Sequence, residues 1–330
     1  MDATCTPADI RYPTDLSLLN EAREKTEEII DTLHQRHKGK RPKVRTYRKK
    51  ARKDYLAVAK KRKPSAKKIR QAIRKQLQYV RRNLQHIENL SREGNAGGHS
   101  DLRMLNRRMH KNLLVIKELY RQQKKMYDEK THRVEHRIVS ISQPHVRPIV
   151  RGKASADVEF GAKISVALVD GYAFLEKLSW EAYNEAGELK DHLENYKSRF
   201  GHYPESVHVD QIYRNRENRR YCKERGIKMS GPPLGRRPND PCEKSKVKKE
   251  TRQSEIDRIP IEGKFGNGKR RYGMDNIMTK LQETGETTIA ADVLMLNLEK
   301  LLRELLFAIF YRLMNWIKYF QITPLRLKFQ

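Results

Sequence analysis

Cysteine is scarce in this sequence: the 330 residues include three, Cys5, Cys222 and Cys242. Cysteines so few and so far apart exclude a disulfide framework and a cysteine-based zinc site, and they favour a reduced compartment. The chain opens with MDATCTPADIRYPTDL, which lacks the basic segment and apolar run of a secretory signal peptide. A cytoplasmic protein is therefore expected.

Long apolar runs are also absent. The most apolar stretch, residues 289–320, is interrupted by charged side chains, which predicts a buried or amphipathic helix and excludes a membrane span. The interrupting residues are Asp292, Glu299, Lys300, Arg303, Glu304, Arg312 and Lys318. The segment GNGKRR lacks the spacing of a P-loop, so no nucleoside triphosphate chemistry is expected.

Acidic residues are few compared with basic residues. The 71 lysines and arginines exceed the 41 acids, leaving a formal charge of +30. Such a surplus predicts a polyanionic partner, and nucleic acid is a better candidate than an anionic membrane surface. From Arg36 to Arg82 there are 22 basic residues and one acid, Asp54. This block is either a solvated face or a surface for DNA phosphates, whose binding carries little sequence information.

The pattern of apolar residues divides the chain into three segments, 1–13, 14–136 and 137–330. The first predicts a strand. The second predicts a basic helical region in which two apolar stripes, Ile69–Leu90 and Leu102–Tyr120, are separated by the glycine-rich segment Ser91–Ser100. Two such helices predict an antiparallel helical hairpin.

The third segment alternates strands and helices. Its KISVALVDGYAFLEKLSW stretch predicts two strands around an Asp170-Gly171 turn. We therefore predict a mixed α/β fold interrupted after its first strand by a long, basic, all-helical insertion. The other predicted strands are 137–142, 206–210 and 227–230, and the predicted helices are 188–200, 214–225 and most of 275–319.

Three carboxylates could carry chemistry. Asp210 ends a predicted strand, a frequent place for sites, although a turn or helix-capping aspartate is the plainer interpretation. Glu262 lies four residues after Arg258 and seven before Lys269, so the three share a helix face; a surface ion pair is the alternative. Asp2 by itself is a terminal residue. Brought together, such carboxylates would require Mg²⁺ or Mn²⁺, and two ions would support phosphodiester displacement.

At these residues the sequence resembles the DDE transposases of bacterial insertion sequences, in the group with a Tyr-Arg-Glu-Lys signature. The matching stretches, in chain order, are DATCTPADIRYPTDLSLLNEARE, SISQPHVRPIVRGKA, VEFGAKISVALVDGYAFLEKLSWEAYNE, VHVDQIYRNRENRRYCKERGIKMSGPPLGR, IEGKFGNGKRRYG and MLNLEKLLR. The resemblance implies a ribonuclease-H-like catalytic core with Asp2, Asp210 and Glu262 as catalytic and metal-binding carboxylates. It implies that Arg258 and Lys269 contact transposon-end DNA.

The resemblance also implies the reaction and the partners. These are strand cleavage at the insertion-sequence ends and strand transfer into target DNA, with two Mg²⁺ (or Mn²⁺) ions, double-stranded DNA and a homodimer on synapsis in the nucleoid. The basic block would add contacts to that DNA. Its proposed DNA-binding residues are Arg48, Lys49, Lys50, Arg52, Lys53, Lys60, Lys61, Arg62 and Lys63.

Two departures leave an alternative open. Glu255 stands where the signature has its tyrosine, and Asp2 follows the first residue directly, whereas the family's first aspartate projects from the middle of a strand. These departures are expected of a truncated, catalytically impaired DNA-binding remnant or of a misplaced start. A housekeeping ribonuclease-H-like nuclease is a third possibility, but the long insert and the Arg258–Glu262–Lys269 spacing disfavour it.

Overall fold

The computed structural model describes residues 1–35, 38–39, 42–93, 101–153, 156–232 and 240–322. The chain forms two compact units. The first, termed the sheet unit, contains Met1–Pro7, Ala162–Thr279 and Glu283–Gln330. The second, termed the helical unit, contains Ala8–Gly161 and Lys280–Gln282.

The helical unit is built from four α-helices among its described residues. They are α1 (Asp15–His34), α2 (Arg48–Ala59), α3 (Ala66–Glu93) and α4 (Arg107–Glu129). Helix α1 begins where the Thr14 hydroxyl oxygen accepts the backbone N–H of Ser17 at 3.1 Å, and α4 begins with the Asn106 side chain accepting from Met109 at 2.8 Å. Such caps satisfy backbone donors that have no partner inside a helix.

Two apolar clusters hold these helices together. One is formed by Leu18, Leu19, Ala22, Leu77, Val80, Ile116, Leu119, Ile138 and Ile141. The other is formed by Ile29, Ile30, Leu33, Ile87, Leu90, Leu105 and Leu113. The first cluster joins the earlier residues Leu77 and Val80 of α3 to the later residues Ile116 and Leu119 of α4. The second joins the later residues Ile87 and Leu90 of α3 to the earlier Leu113 of α4, so the two helices run antiparallel. The glycine-rich residues 94–100 between them lie outside the described residues.

Strands of the sheet unit follow the predicted pattern. β1 (Asp2–Pro7) and β4 (Tyr172–Ser179) both pair with β3 (Ala156–Val169), and β4 is antiparallel to it. The predicted hairpin is confirmed: Asp170 and Gly171 have φ angles of 49° and 79°, as a tight two-residue turn requires. In the helical unit, β2 (Arg147–Lys153) pairs antiparallel with the first part of β3.

Further along, the sheet unit contains a small parallel pair and four helices. The pair is β5 (Ser206–Val207) with β6 (Lys228–Met229). The helices are α5 (Leu189–Phe200), α6 (Arg216–Glu224), α7 (Pro241–Arg271) and α8 (Gln282–Ile322). A cluster including Leu189, Leu193, Val207, Val209, Tyr213, Cys222 and Ile227 packs α5 and α6 against this pair.

Some predicted elements differ from the structure. The 137–142 segment forms no strand; its Ile138 and Ile141 are buried in the helical unit instead. The predicted strand 206–210 contains only two paired residues, because the backbone turns at Asp210. Helix α7 extends over 31 residues despite Pro260 and three internal glycines.

Helix α8 is buried only in its first half. Ile289, Val293 and Leu296 are buried, whereas every described side chain from Leu301 to Ile317 is exposed. The prediction of a buried or amphipathic helix therefore fails for the second half. No helix within the described residues is long and apolar enough to cross a membrane.

Candidate active site

Asp2 is the first residue of β1 and carries a partly buried carboxylate. Its Oδ1 accepts the backbone N–H of Ala3 at 2.8 Å, and the neighbouring Met1 amino group donates to the His208 carbonyl oxygen at 2.8 Å. Burial raises the pKa of the Asp2 carboxyl and lowers the pKa of the Met1 amino group to about 6. Both charges are thus poorly solvated, and the Asp2 carboxylate would gain from a nearby cation.

Asp210 lies just beyond β5, where the chain leaves the parallel pair. Its Oδ1 accepts the backbone N–H of Gln211 at 2.7 Å and so caps a short 3-10 turn, Gln211–Tyr213. The preceding residue, Val209, is buried and donates its backbone N–H to the Ser230 hydroxyl oxygen at 3.0 Å. The turn-aspartate interpretation therefore describes its local role, and the exposed carboxylate keeps free acceptor capacity.

Arg258 connects the first and third candidate carboxylates. Its Nη2 lies 2.9 Å from Glu262 Oε1, one helical turn further along α7, and its Nη1 lies 3.7 Å from Asp2 Oδ2. The predicted shared face of Arg258 and Glu262 is confirmed by this ion pair. Arg258 is half-buried and lowers the pKa of Asp2, which opposes the larger effect of burial.

A second arginine lies near Asp210. Both Nε and Nη2 of Arg214 donate to the Val209 carbonyl oxygen, at 3.2 and 2.8 Å, which anchors this guanidinium beside the turn. Burial lowers the pKa of Arg214; Asp210 raises it and Arg258 lowers it further. Arg214 therefore lies within electrostatic range of Asp210 and of Arg258. The sequence reasoning missed Arg214, although its position four residues after Asp210 was a usable signal.

The end of α7 places Lys269 two turns beyond Glu262 on the same face. Close packing at Gly268 fixes this end, because a Cβ there would collide with the Met274 sulfur. Glu255, which occupies the position of the signature tyrosine, is exposed and lies about one turn before Arg258.

The donor chemistry of this site suits a hard divalent cation. Asp2, Asp210 and Glu262 offer carboxylate oxygens, the ligands that Mg²⁺ and Mn²⁺ prefer. Within the described residues, however, no three metal-binding side chains are grouped closely enough to hold an ion. The Arg258 guanidinium instead lies between Asp2 and Glu262. The carboxylate oxygens therefore suit a divalent metal ion, and an ion would stabilise the poorly solvated Asp2 carboxylate. An ion shared by Asp2 and Glu262 would have to displace the Arg258 guanidinium.

The basic block forms an exposed face of the helical unit. Its single acid, Asp54, is covered by Lys75 and by the Tyr79 hydroxyl, each 2.9 Å away. Arg48 is occupied by a two-bond pair with Asp31 at 2.8 and 3.1 Å. The remaining cations predicted to bind DNA are all exposed: Lys49, Lys50, Arg52, Lys53, Lys60, Lys61, Arg62 and Lys63.

Comparison with known proteins bears on one part of this site. Residues 207–299 match the family model described as a transposase DDE domain. The matched segment contains Asp210, Arg258, Glu262 and Lys269, whereas Asp2 lies outside it. No curated protein and no solved structure matched the chain. The family match supports a DDE transposase over this segment, which is less than half of the chain.

Proposed function

We propose that this protein is an insertion-sequence transposase that cleaves DNA at the element's ends and joins them to target DNA. The observation that carries the proposal is the bridging position of Arg258. Inside the matched segment, Arg258 holds Glu262 at 2.9 Å and also lies 3.7 Å from Asp2 on a distant strand. An ion pair on the surface of α7 would involve only Arg258 and Glu262, whereas here Arg258 also approaches the partly buried carboxylate of Asp2.

The arrangement of strands supports a ribonuclease-H-like core. β4 and β1 both pair with β3, and the Met1 amino group donates to His208 immediately after β5. β5 in turn pairs in parallel with β6. The two sheets are separate, and we propose that this hydrogen bond places them side by side in the order β4, β3, β1, β5, β6 of such a core. The helical unit follows β1 in the chain, as a long insertion after the first strand would.

In this proposal Asp2, Asp210 and Glu262 would hold two Mg²⁺ (or Mn²⁺) ions. Bound ions would supply an activated water and would stabilise the leaving oxygen during phosphodiester displacement. The protein orients the carboxylates: β1 fixes Asp2, the capped turn fixes Asp210, and α7 fixes Glu262. When DNA enters, Arg258 transfers from the carboxylates to a phosphate of the transposon end, and Lys269 adds a second phosphate contact.

The exposed cations of the helical unit would bind the DNA duplex outside the catalytic site. Their contacts are to phosphates, so they would add affinity without reading sequence. Two protomers would pair the two DNA ends on synapsis. A protein with this function would act on the bacterial nucleoid, in the Tyr-Arg-Glu-Lys group of insertion sequences.

The test is cleavage of a duplex that carries the element's own ends, in the presence of Mg²⁺ or Mn²⁺. Glu262→Gln should reduce cleavage by at least about a thousandfold, because removing one ligand charge weakens metal binding and transition-state stabilisation together. Glu255→Gln is the matched control, since it removes the same charge from an exposed position of the same helix and should leave cleavage largely intact.

Two results would contradict parts of the proposal. Full cleavage by Glu262→Gln would exclude Glu262 from the catalytic set. DNA binding by the unmodified chain without metal-dependent cleavage of any strand would favour the alternative, a catalytically impaired DNA-binding remnant.

A further inference from the structure

The outer face of α6 carries a row of cations. Its members are Arg216, Arg219, Arg220 and Lys223. All of them except Arg219 are exposed. At 3.6 residues per turn, these four positions lie within about 100° of the helix circumference. The opposite face is buried through Asn218 and Cys222, so the cations form one solvent-facing surface, termed the α6 row.

The α6 row is electrostatically unfavourable by itself. Its members are spaced three or four residues apart along one face, so each of them has other cations as its neighbours. Like charges at these spacings destabilise a helix. Within the described part of the chain, Arg216 and Lys223 form no ion pair that would offset the repulsion. An anionic partner would relieve it.

The acids of α6 do not neutralise the row. Glu217 pairs with Lys190 of α5. Glu224 lies 3.8 Å from Arg220, and this exposed contact, longer than a hydrogen bond, stabilises little. The segment 233–239, which lies outside the described residues, has the sequence PLGRRPN and adds two arginines and no acid. The row therefore keeps most of its positive charge.

Hydrogen bonds connect the buried side of α6 to the Asp210 turn. Asn218 Nδ2 donates to the carbonyl oxygen of Tyr213 at 2.9 Å, and Tyr213 ends the 3-10 turn that Asp210 caps. Arg219 Nε donates to the carbonyl oxygen of Arg214 at 3.1 Å. The row thus starts six residues after Asp210, on a helix that is anchored to the turn of this candidate carboxylate.

The length and composition of the row suit a nucleic-acid backbone. From Arg216 to Lys223 it extends about 10 Å along the helix axis, enough for about two or three successive phosphates of one strand. Guanidinium groups bind phosphate oxygens through paired hydrogen bonds. A lipid surface is the poorer partner, because the row contains no apolar side chain that a membrane would bury.

We propose that the α6 row binds phosphates of the DNA strand that the candidate active site cleaves, as a contact separate from the basic block of the helical unit. The inference rests on the proposed function, which supplies the DNA. Because the contacts are to phosphates, they position the strand beside Asp210 without reading its sequence.

The experiment is equilibrium binding of the full chain to a fluorescent duplex that carries the element's end, in EDTA and over a salt series. Arg216→Gln combined with Lys223→Gln should raise the Kd at least about tenfold at about 0.1 M salt and reduce the slope of log K against log salt by about 2. Lys111→Gln combined with Lys117→Gln removes the same charge from exposed positions of α4 and should leave the slope unchanged. Circular dichroism should be equal for the three proteins, because all four substituted side chains are exposed.

A neutral phosphate analogue then locates the contact. Methylphosphonate replaces single phosphates, one at a time, within one turn of the duplex on either side of the cleaved bond. At the phosphates that the α6 row binds, this replacement should weaken binding by the unmodified chain and by the α4 double variant. It should cause little further loss in the α6 double variant, because the partner charge is already absent.

Equal slopes for the two double variants, or equal methylphosphonate losses in both at every position, would overturn the inference and leave the proposed function standing. Failure of the unmodified chain to bind any duplex would overturn both. Loss of binding to phosphatidylserine vesicles in the α6 double variant, with duplex binding unchanged, would also overturn the inference, because a membrane surface would then be the partner of the row.

Discussion

Arg258 should compete with divalent cations for the carboxylates of the candidate site. Its guanidinium lies 2.9 Å from Glu262 and 3.7 Å from Asp2, and it occupies the space that an ion shared by these two groups would need. Replacing it with glutamine removes the positive charge and keeps a polar side chain of similar length. The freed carboxylates then repel each other, and burial at Asp2 strengthens that repulsion.

The size of the effect follows from the two contacts. Glu262 is exposed, so its pairing with Arg258 is screened and contributes less than about 1 kcal/mol. The Asp2 contact is longer but better shielded from solvent, and contributes a similar amount. A metal ion must displace both interactions. Arg258→Gln should therefore tighten Mn²⁺ binding to the DNA-free protein by roughly tenfold, equivalent to about 1.4 kcal/mol.

The assay is titration with Mn²⁺, followed by the electron paramagnetic resonance signal of the free ion. Arg252→Gln is the matched control, because Arg252 is an exposed arginine of the same helix and the substitution changes the net charge equally. It should leave Mn²⁺ affinity close to that of the unmodified chain, and Glu262→Gln should weaken it. If Arg258→Gln binds Mn²⁺ no more tightly than Arg252→Gln does, Arg258 does not compete with the cation.

Two further predictions concern stability and DNA affinity. Burial raises the pKa of Asp292 to about 6, above its unfolded value, so stability should fall as pH rises through 6. Asp292→Asn should therefore add about 1 kcal/mol to the free energy of unfolding at pH 7.5 and little at pH 4. Urea denaturation at the two pH values measures the difference, and equal gains at both would contradict a raised pKa of Asp292. Replacing Lys60 and Lys61 together with alanine should reduce the slope of log K for duplex binding against log salt by about 2. The same replacement at Lys111 and Lys117 of α4 should leave that slope unchanged. Equal slopes for the two double variants would exclude the basic block as the DNA surface.

Local chemistry made several elements predictable. The Asp170-Gly171 turn requires positive φ at both positions, which aspartate and glycine tolerate, and the flanking residues alternate as a hairpin should. The stripes of α3 and α4 were readable because each covers one face over many turns. The Arg258–Glu262 pair followed from a spacing of four residues on a helix.

Other elements depended on contacts that local pattern does not contain. The alternation in 137–142 suits a strand, yet Ile138 and Ile141 are buried by helices, which provide the same apolar cover without strand pairing. In 206–210 the pattern continues beyond the pairing, because Asp210 captures the backbone N–H of Gln211 and starts a turn. Whether an extended segment becomes a strand depends on the availability of a neighbouring strand.

The candidate site, too, was only partly predictable from the sequence. Only the resemblance to a family connected Asp2 with Glu262, since no spacing relates residues so far apart in the chain. The structure adds Arg258 as the physical link between them and Arg214 as a second cation beside Asp210. The tertiary structure brings both guanidinium groups near these carboxylates. A carboxylate that loses water on burial is stabilised by a guanidinium close to it.

Helix α8 illustrates what hydrophobicity in a sequence does and does not specify. The apolar residues from Ile289 onward correctly indicate surface that must be removed from water, and Ile289, Val293 and Leu296 are covered within the chain. From Leu301 the same kind of residue is exposed, although the pattern changes little. A single chain's sequence states how much apolar surface needs cover but does not identify the molecule that supplies it. The hydrophobic pattern therefore predicts that all of α8 needs cover, whereas the tertiary structure decides which half of the helix receives that cover from the described residues.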